Sequence, residues 1–161
     1  VAVNVSPTGI DADLPDRIAA ALADSEVSPE CLNVEITERA GLSDAPATCD
    51  AIRRVIEMGV KVALDDFGAG ATSLAHLRSL PITHLKIDRS LVADLDGPDA
   101  DRARTVVEAI ARMSSGLGIE TLGEGVETPA QANALKAAGV GFAQGMLFGA
   151  PAQLIRGTVG S

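Results

Sequence analysis

The stretch Lys61–Gly70 has the sequence KVALDDFGAG, an apolar run that ends in two acids and a glycine-rich turn. Its length and the bounding glycines predict a buried strand over Lys61–Asp65. Neighbouring strand residues point to opposite faces, so both acids reach one site only if the chain bends after the strand. The glycines permit the backbone angles of such a bend. We therefore expect Asp65 and Asp66 to share a site, the alternative being a strand followed by an acidic helix N-cap.

Runs of the same kind alternate with amphipathic patterns along the whole chain, which predicts strands separated by helices. In the long pattern before Gly118, Val106, Ile110, Met113 and Leu117 recur at helical spacing and predict one apolar face. The other predicted helices fall near residues 14–22, 49–56, 73–79 and 128–139. The further strand candidates are Val1–Val5, Leu32–Ile36, His84–Ile87, Ile119–Gly123 and Gly141–Gln144.

Strand–helix alternation implies an α/β fold with a mostly parallel sheet, and both an open doubly wound sheet and a closed barrel fit it. Polar residues at the strand ends distinguish the two. A ring of such residues, one or two per strand, is how a TIM-type (β/α) barrel builds its site, whereas an open sheet uses a few strands. The barrel is favoured by Asn4, Glu35, Asp65 with Asp66, Lys86 with Asp88, Glu124 and Gln144.

The chain is short for such a barrel. A complete (β/α)₈ barrel takes about 250 residues and eight strands, whereas the 161 residues here supply six strand candidates. We therefore expect about six of eight βα units within a domain at residues 1–154, with one or two units upstream of Val1. Residues 155–161 have little pattern, and we expect a disordered tail.

Composition excludes several classes of function. The net charge is −9 and no Lys/Arg cluster stands out, so binding to a DNA or RNA polymer is not expected. Cys31 and Cys49 form no CxxC pair, and we expect two reduced, buried thiols. No apolar run approaches the roughly 18 residues of a membrane span. We expect a cytoplasmic domain, free or held at the membrane by a parent protein.

The acids predict a metal site. Two carboxylates about 5 Å apart repel by roughly 3 kcal/mol at an effective dielectric of 20, so acids that share a barrel mouth must be protonated or neutralised by cations. Alternation along Asn33–Thr37 turns Glu35 inward. Oxygen ligands that include an Asn carbonyl suit Mg²⁺, Mn²⁺ or Ca²⁺.

Other residues predict how a ligand is handled. Lys86 stands between apolar neighbours and is expected to face inward, where it would hold a phosphate or a water; a structural ion pair with Asp65 or Asp88 is the alternative. Glu124 lies between glycines and Gln144 precedes one, which leaves room for a ligand. His76 and His84 lack zinc-site spacing, so catalytic or zinc roles are not expected.

Together these motifs resemble the EAL-domain family of bacterial cyclic di-GMP phosphodiesterases. They occur in the order that the family shows, from Val1 to about Pro151. Any one motif is weak evidence, but six motifs in that order make the resemblance specific. The segments are Asn4–Pro7, Glu35–Glu38, Asp65–Gly70, Lys86–Ser90, Glu124–Thr128 and Gln144–Gly145.

The resemblance implies a TIM-type barrel with one strand reversed and Mg²⁺- or Mn²⁺-dependent hydrolysis of cyclic di-GMP to pGpG, with Ca²⁺ as an inhibitor. It further implies a homodimer and a parent protein with sensory or GGDEF domains. It assigns two ions, the first to Asn4, Glu35 and Asp65, and the second to Asp65 and Asp66 with Glu124 as ligand or base.

By the same resemblance, Lys86 contacts the attacking water, while Gln144 positions that water or the substrate. Asp88 contacts substrate. Glu38 braces the Asp65–Gly70 loop, which the family links to dimerisation.

Departures from the family pattern keep two alternatives open, a receptor that binds cyclic di-GMP without cleaving it and a dimerisation module. The Glu-Ala-Leu segment, whose glutamate binds metal, belongs upstream of Val1 with a substrate-contacting arginine. Ala71 stands where the family commonly has an aromatic residue, Gly141 stands where it often has an acid, and Gly123 stands where it often has an alanine. All the ligands within the chain are intact, which favours the enzyme.

We expect this chain alone to hydrolyse cyclic di-GMP poorly or not at all. Six strands would leave open sheet edges, and one metal site would lack the family glutamate. Loss of a single group at a cooperative site commonly costs orders of magnitude in rate. The test compares pGpG formation with Mn²⁺ by the chain and by a form extended upstream. Robust turnover by the short form would contradict the expectation.

Overall fold

A single sheet of six parallel strands, β1 to β6, organises the computed structural model, which describes residues 1–37, 45–69 and 74–150. The strands lie side by side in chain order, and all five pairings are parallel. This confirms the predicted sheet and its six strands. Their bounds are Ala2–Val5, Asn33–Thr37, Lys61–Phe67, His84–Ile87, Glu120–Gly123 and Phe142–Ala143.

Six α-helices, α1 to α6, connect the strands in the described residues. Five match the predicted helices; α4 was missed because it has only five residues and shows no periodicity. No described helix combines the length and hydropathy that a membrane crossing requires. The helices span Leu14–Ala23, Pro46–Glu57, Leu74–Ser79, Arg89–Ala93, Ala100–Gly116 and Pro129–Ala137. Short 3₁₀ turns span Pro7–Gly9, Pro29–Cys31 and Asp94–Asp96.

Alternation along the strands separates an apolar face from a polar one. Val62 and Leu64 of β3 are fully buried, as are Leu85 and Ile87 of β4. They join one aliphatic core with helix residues such as Val55 and those of the other strands. Asp65, which follows Leu64, and Lys86, which lies between Leu85 and Ile87, therefore point to the opposite face of the sheet. That polar face carries the candidate site.

The predicted apolar face of α5 was partly wrong. Val106 and Leu117 are 40% and 48% exposed, although Ile110 is buried as expected. The buried stripe instead runs along Ala103, Val107, Ile110, Ala111 and Ser114. Small side chains allow the helix to lie close to the sheet, and a search for large apolar residues overlooks them.

The two thiols also differ from expectation. Both cysteines are free, as predicted, but only Cys49 is buried and Cys31 is exposed. Cys31 lies in a 3₁₀ turn before β2 rather than in the apolar stripe of a helix. The predicted disordered tail, residues 155–161, lies outside the described residues. All strand pairings in the described residues are parallel, so the reversed strand that the resemblance implies stays a prediction.

Gly145 packs directly on the backbone of the loop after β5. Val126 donates its N–H to the Gln144 carbonyl at 3.0 Å, and Leu147 donates to the Val126 carbonyl at 3.0 Å. A Cβ at Gly145 would lie 2.2 Å from both the nitrogen and the oxygen of Val126. Because these are backbone atoms that are themselves hydrogen-bonded to Gln144 and Leu147, they cannot easily move aside. Glycine is therefore required at this position.

Gly145→Ala should lower the free energy of unfolding by about 2 kcal/mol or more, in the range of overpacked sites. The measurement is the urea midpoint of the purified chain. Gly116→Ala is the matched control, because nothing lies within 4 Å of its added Cβ, and it should not destabilise the chain. Equal stability of the Gly145 variant and the unmodified chain would contradict the contact.

Candidate active site

Four strands bring charged side chains together on the polar face of the sheet. Glu35 comes from β2, Asp65 from β3 and Lys86 from β4, while Glu124 follows directly after β5. Parallel strands end at the same edge, so residues at their carboxyl ends meet there. The structure brings together these four residues, which the sequence predicted to lie near one another.

The ammonium of Lys86 lies at the centre of this cluster. Its Nζ is 2.7 Å from Glu124 Oε1 and 3.0 Å from both Glu35 Oε2 and Asp65 Oδ1. The lysine is only 5% exposed, and Glu35 is 9% exposed. Lys86 therefore faces inward as predicted, and it bridges three strands through three charge-assisted hydrogen bonds.

The charges in the cluster do not balance. Burial lowers the pKa of Lys86, but its hydrogen bonds to Glu124, Asp65 and Glu35 outweigh that effect and raise the pKa well above its ordinary value. Burial raises the pKa of Glu124, and the charges of Asp65 and Glu35 raise it further against the opposing effect of Lys86. One ammonium among the three carboxylates that contact it leaves a formal charge of −2. The site therefore favours an additional cation.

Asp66 supplies the bend that brings a fourth acid to the site. It is the single non-glycine residue with positive φ in the described residues, at 59°, and β3 shifts register against β4 between Leu64 and Phe67. Its backbone N–H donates to Asp65 Oδ1 at 3.0 Å. The predicted bend is confirmed at Asp66 itself, and Gly68 after it also has a positive φ, at 97°. Asp tolerates this conformation better than most residues.

Asp65, Asp66 and Glu124 fit a divalent ion. Each offers one carboxylate oxygen, and the three oxygens lie within 4.8 Å of one another. An all-oxygen set suits Mg²⁺, Mn²⁺ or Ca²⁺ and disfavours the softer metals. A cleft of about 450 Å³ opens beside them, lined by Asp66, Ala69, Asp88, Arg89, Ser90 and Glu124.

The other predicted residues occupy different positions around this cluster. Gln144 donates its Nε2–H to Glu124 Oε1 at 2.8 Å, so it orients that carboxylate. Asp88 is the N-cap of α4 and accepts from the Ser90 backbone N–H at 2.9 Å. Asn4 lies on β1 in register with Glu35. Glu38 and its bracing role lie outside the described residues.

Two supporting amides were not singled out from the sequence. Asn33 donates its Nδ2–H to Glu35 Oε1 at 3.4 Å. The alternation along β2 indicates this contact, because it places Asn33 and Glu35 on the same face of the strand. Gln131 accepts the backbone N–H groups of Glu127 and Thr128 at 2.8 and 3.1 Å. The spacing Thr128-x-x-Gln131 is that of a capping box, which indicates such a role.

His84 lies on the same face as Lys86 but belongs to the opposite end of β4. Its Nε2 is 3.0 Å from Glu120 Oε2, and its Nδ1 is 2.8 Å from Thr83 Oγ1. Burial and the charge of Lys61 lower the pKa of His84 against the opposing effect of Glu120. The histidine is therefore held by local partners away from the acidic cluster.

Comparison with known proteins gives a consistent result. The family model described as the EAL domain matches residues 1–151. The cyclic di-GMP phosphodiesterase NbdA of Pseudomonas aeruginosa is 37% identical over 155 residues, which are 96% of this chain and 20% of NbdA. The bifunctional diguanylate cyclase/cyclic di-GMP phosphodiesterase MucR of that organism is 37% identical over 152 residues, which are 94% of this chain and 22% of MucR.

Solved structures share the fold. The PaMucR phosphodiesterase in complex with c-di-GMP superposes with a TM-score of 0.80 at 36% identity, over 93% of this chain and 60% of that one. Klebsiella pneumoniae BlrP1, solved in calcium and in manganese complexes with cyclic di-GMP, superposes with a TM-score of 0.78 at 27% identity over 91% of this chain and 37% of that one. This chain spans about a fifth of the length of the curated relatives it matches.

Asp65→Asn should weaken Mn²⁺ binding to the chain by about tenfold or more, the scale expected when groups at a metal site are changed. The reason is that Asp65 adjoins both Asp66 and Lys86 and carries the charge that the cation must balance. Calorimetric titration with Mn²⁺ alone is the measurement.

The matched control for that titration is Asp101→Asn, which removes an equal charge from a side chain that is 100% exposed on α5. Its Mn²⁺ affinity should match that of the unmodified chain. Identical affinities of the Asp65 and Asp101 variants would rule out Asp65 as a metal ligand.

Proposed function

The chain belongs to the EAL-domain family, and from this premise we propose that its site hydrolyses cyclic di-GMP to the linear dinucleotide pGpG with divalent metal ions. The arrangement of Lys86 among carboxylates from three strand ends carries the proposal. It places one fixed cation within a site that still has excess negative charge. Relatives named cyclic di-GMP phosphodiesterases and the solved complexes with cyclic di-GMP support the choice of substrate.

Two ions are proposed, Mg²⁺ or Mn²⁺, with Asp65 as the shared ligand. One would be held by Asn4, Glu35 and Asp65, and the register of β1 with β2 places Asn4 beside Glu35. The other would be held by Asp65, Asp66 and Glu124, whose oxygens already converge. Bound ions would supply Lewis-acid activation of the phosphodiester and of the attacking water. Ca²⁺ is proposed to occupy the site without supporting turnover.

The protein side chains would position the reacting groups. Lys86 is held by three acids, so its N–H groups are fixed in direction and one of these bonds can be exchanged for the attacking water. Glu124 would serve as a metal ligand or as a base. Gln144 donates to Glu124 through Nε2, which leaves its Oε1 to accept a bond from water or substrate. Asp88 is proposed as a further substrate contact from the cleft beside Asp66.

The wider context of the domain is also a proposal. MucR, whose name joins a diguanylate cyclase with a phosphodiesterase, supports a parent protein in which a GGDEF or sensory domain accompanies this one. A homodimer is also proposed, because the sequence Asp65–Gly70 resembles the family loop that is linked to dimerisation. Because the proposed substrate is an intracellular second messenger, we place the domain in the cytoplasm or at the cytoplasmic face of the membrane.

Lys86→Ala should lower kcat for cyclic di-GMP by about a hundredfold or more, as expected for the loss of a group aligned with the attacking water. The Mn²⁺ affinity should remain nearly unchanged, because the carboxylate ligands stay in place. The measurements are pGpG formation by a form extended upstream and Mn²⁺ titration of the same protein.

Lys136→Ala is the control for the loss of a lysine, since Lys136 is exposed in the last turn of α6. It should retain full turnover. Turnover within about threefold in the Lys86 variant, or roughly 0.6 kcal/mol of barrier, would assign Lys86 a structural role. Binding of cyclic di-GMP without any pGpG from the unmodified protein would instead favour the receptor.

A further inference from the structure

The loop from Glu124 to Thr128 places the carboxylate that contacts Lys86, and its two ends are held differently. At its start, the Glu124 N–H donates to the Ile87 carbonyl at 3.1 Å and continues the sheet. At its end, Gln131 Oε1 accepts the N–H groups of Glu127 and Thr128. The far end of the loop therefore depends on the orientation of one buried side-chain amide, since Gln131 is 6% exposed.

Asp96 fixes that orientation. Its Oδ1 accepts from Gln131 Nε2 at 3.1 Å, and its Oδ2 accepts from Thr128 Oγ1 at 2.7 Å. The Gln131 amide oxygen is already committed to two backbone N–H groups, so its NH₂ group requires an acceptor on the other side. Both carboxylate oxygens of Asp96 are used, one for each partner. The hydrogen bonds from Thr128 and Gln131 lower the pKa of Asp96 below its ordinary value.

The position of Asp96 in the chain gives this contact its significance. Asp96 closes the 3₁₀ turn that directly follows α4, and α4 begins just after the strand that carries Lys86. The loop also packs on the start of α4, because a Cβ at Gly125, which has a φ of +65°, would lie 2.6 Å from Arg89 Cβ. Asp96 therefore joins the segment after Lys86 to the segment after Glu124. Its two partners, Thr128 and Gln131, lie 32 and 35 residues further along the chain.

We infer that Asp96 is a positioning residue, which acts through Thr128 and Gln131 to hold the Glu124 loop against α4 and so keeps the Glu124 carboxylate at Lys86 and at the Asp65–Asp66 pair. The catalytic part of this inference rests on the proposed function. The structural part does not, because it concerns hydrogen bonds within the chain. Asp96 itself is exposed and lies outside the acidic cluster.

The test begins with amide hydrogen exchange of the chain, measured residue by residue by NMR. Asp96→Ala should accelerate exchange of the Glu127 and Thr128 amides by about tenfold, a change equal to 1.4 kcal/mol of local opening. Asp94→Ala, in the same 3₁₀ turn, is the matched control and should leave both amides unchanged. Unaltered exchange in the Asp96 variant would overturn the inference.

Two further measurements separate positioning from simple support of the fold. Asp96→Ala should weaken Mn²⁺ binding by about threefold, and in the upstream-extended form it should lower kcat about fivefold while KM for cyclic di-GMP stays within about twofold. Faster exchange with unchanged Mn²⁺ affinity and unchanged kcat would reduce Asp96 to a structural residue and overturn the inference.

Asp96→Asn tests the hydrogen-bond geometry. Its Oδ1 can still accept from Gln131, and its Nδ2 can donate to the Thr128 hydroxyl oxygen, so it should restore most of the amide protection. Exchange as fast as in the alanine variant would overturn the geometric account. Absence of turnover in the unmodified extended protein would refute the proposed function alone, and amide exchange and Mn²⁺ affinity would still decide the role of Asp96.

Discussion

The contact of the Lys86 ammonium with carboxylates from three strand ends is the constraint on which the site depends. A lysine buried to this degree is stable only when its charge is neutralised, because removing an ammonium from water costs several kcal/mol. Glu35, Asp65 and Glu124 must therefore converge on it, which determines the mutual position of β2, β3, β4 and the loop after β5. Without the lysine, these acids would repel one another across the polar face unless a bound metal ion neutralised them. Local electrostatics and sheet register thus specify the same arrangement.

Much of this arrangement was accessible from the sequence because it follows from periodicity. Alternation along each strand predicted which side chains face the site, and strand ends predicted where they meet; Glu35, Asp65, Lys86 and Glu124 follow both rules. The conformation of Asp66 was less accessible, because a positive φ at a non-glycine residue depends on its surroundings. The buried face of α5 was partly wrong for a different reason, since Ala103 and Ala111 show little hydrophobic signal although they pack closely.

Long-range polar contacts were the least accessible features. Asp96 looks like an ordinary surface acid in the sequence, and its partners Thr128 and Gln131 lie more than 30 residues away. The spacing of Thr128 and Gln131 predicts a capping box, but nothing in that pattern names a third member. Such contacts depend on how neighbouring βα connections pack against each other. They join the 3₁₀ turn that follows α4 to Thr128 and Gln131 at the start of α6, so a segment without periodicity supports the loop that carries Glu124.

The left-handed backbone of Asp66 has an evolutionary consequence. Few residues adopt this conformation readily, and asparagine is among them, together with aspartate and glycine. A single-nucleotide change from Asp to Asn would therefore preserve the bend and the fold while it removes one negative charge from beside Asp65. A β-branched replacement would strain the turn instead. At this position, one substitution can therefore remove a proposed metal ligand while the fold is kept.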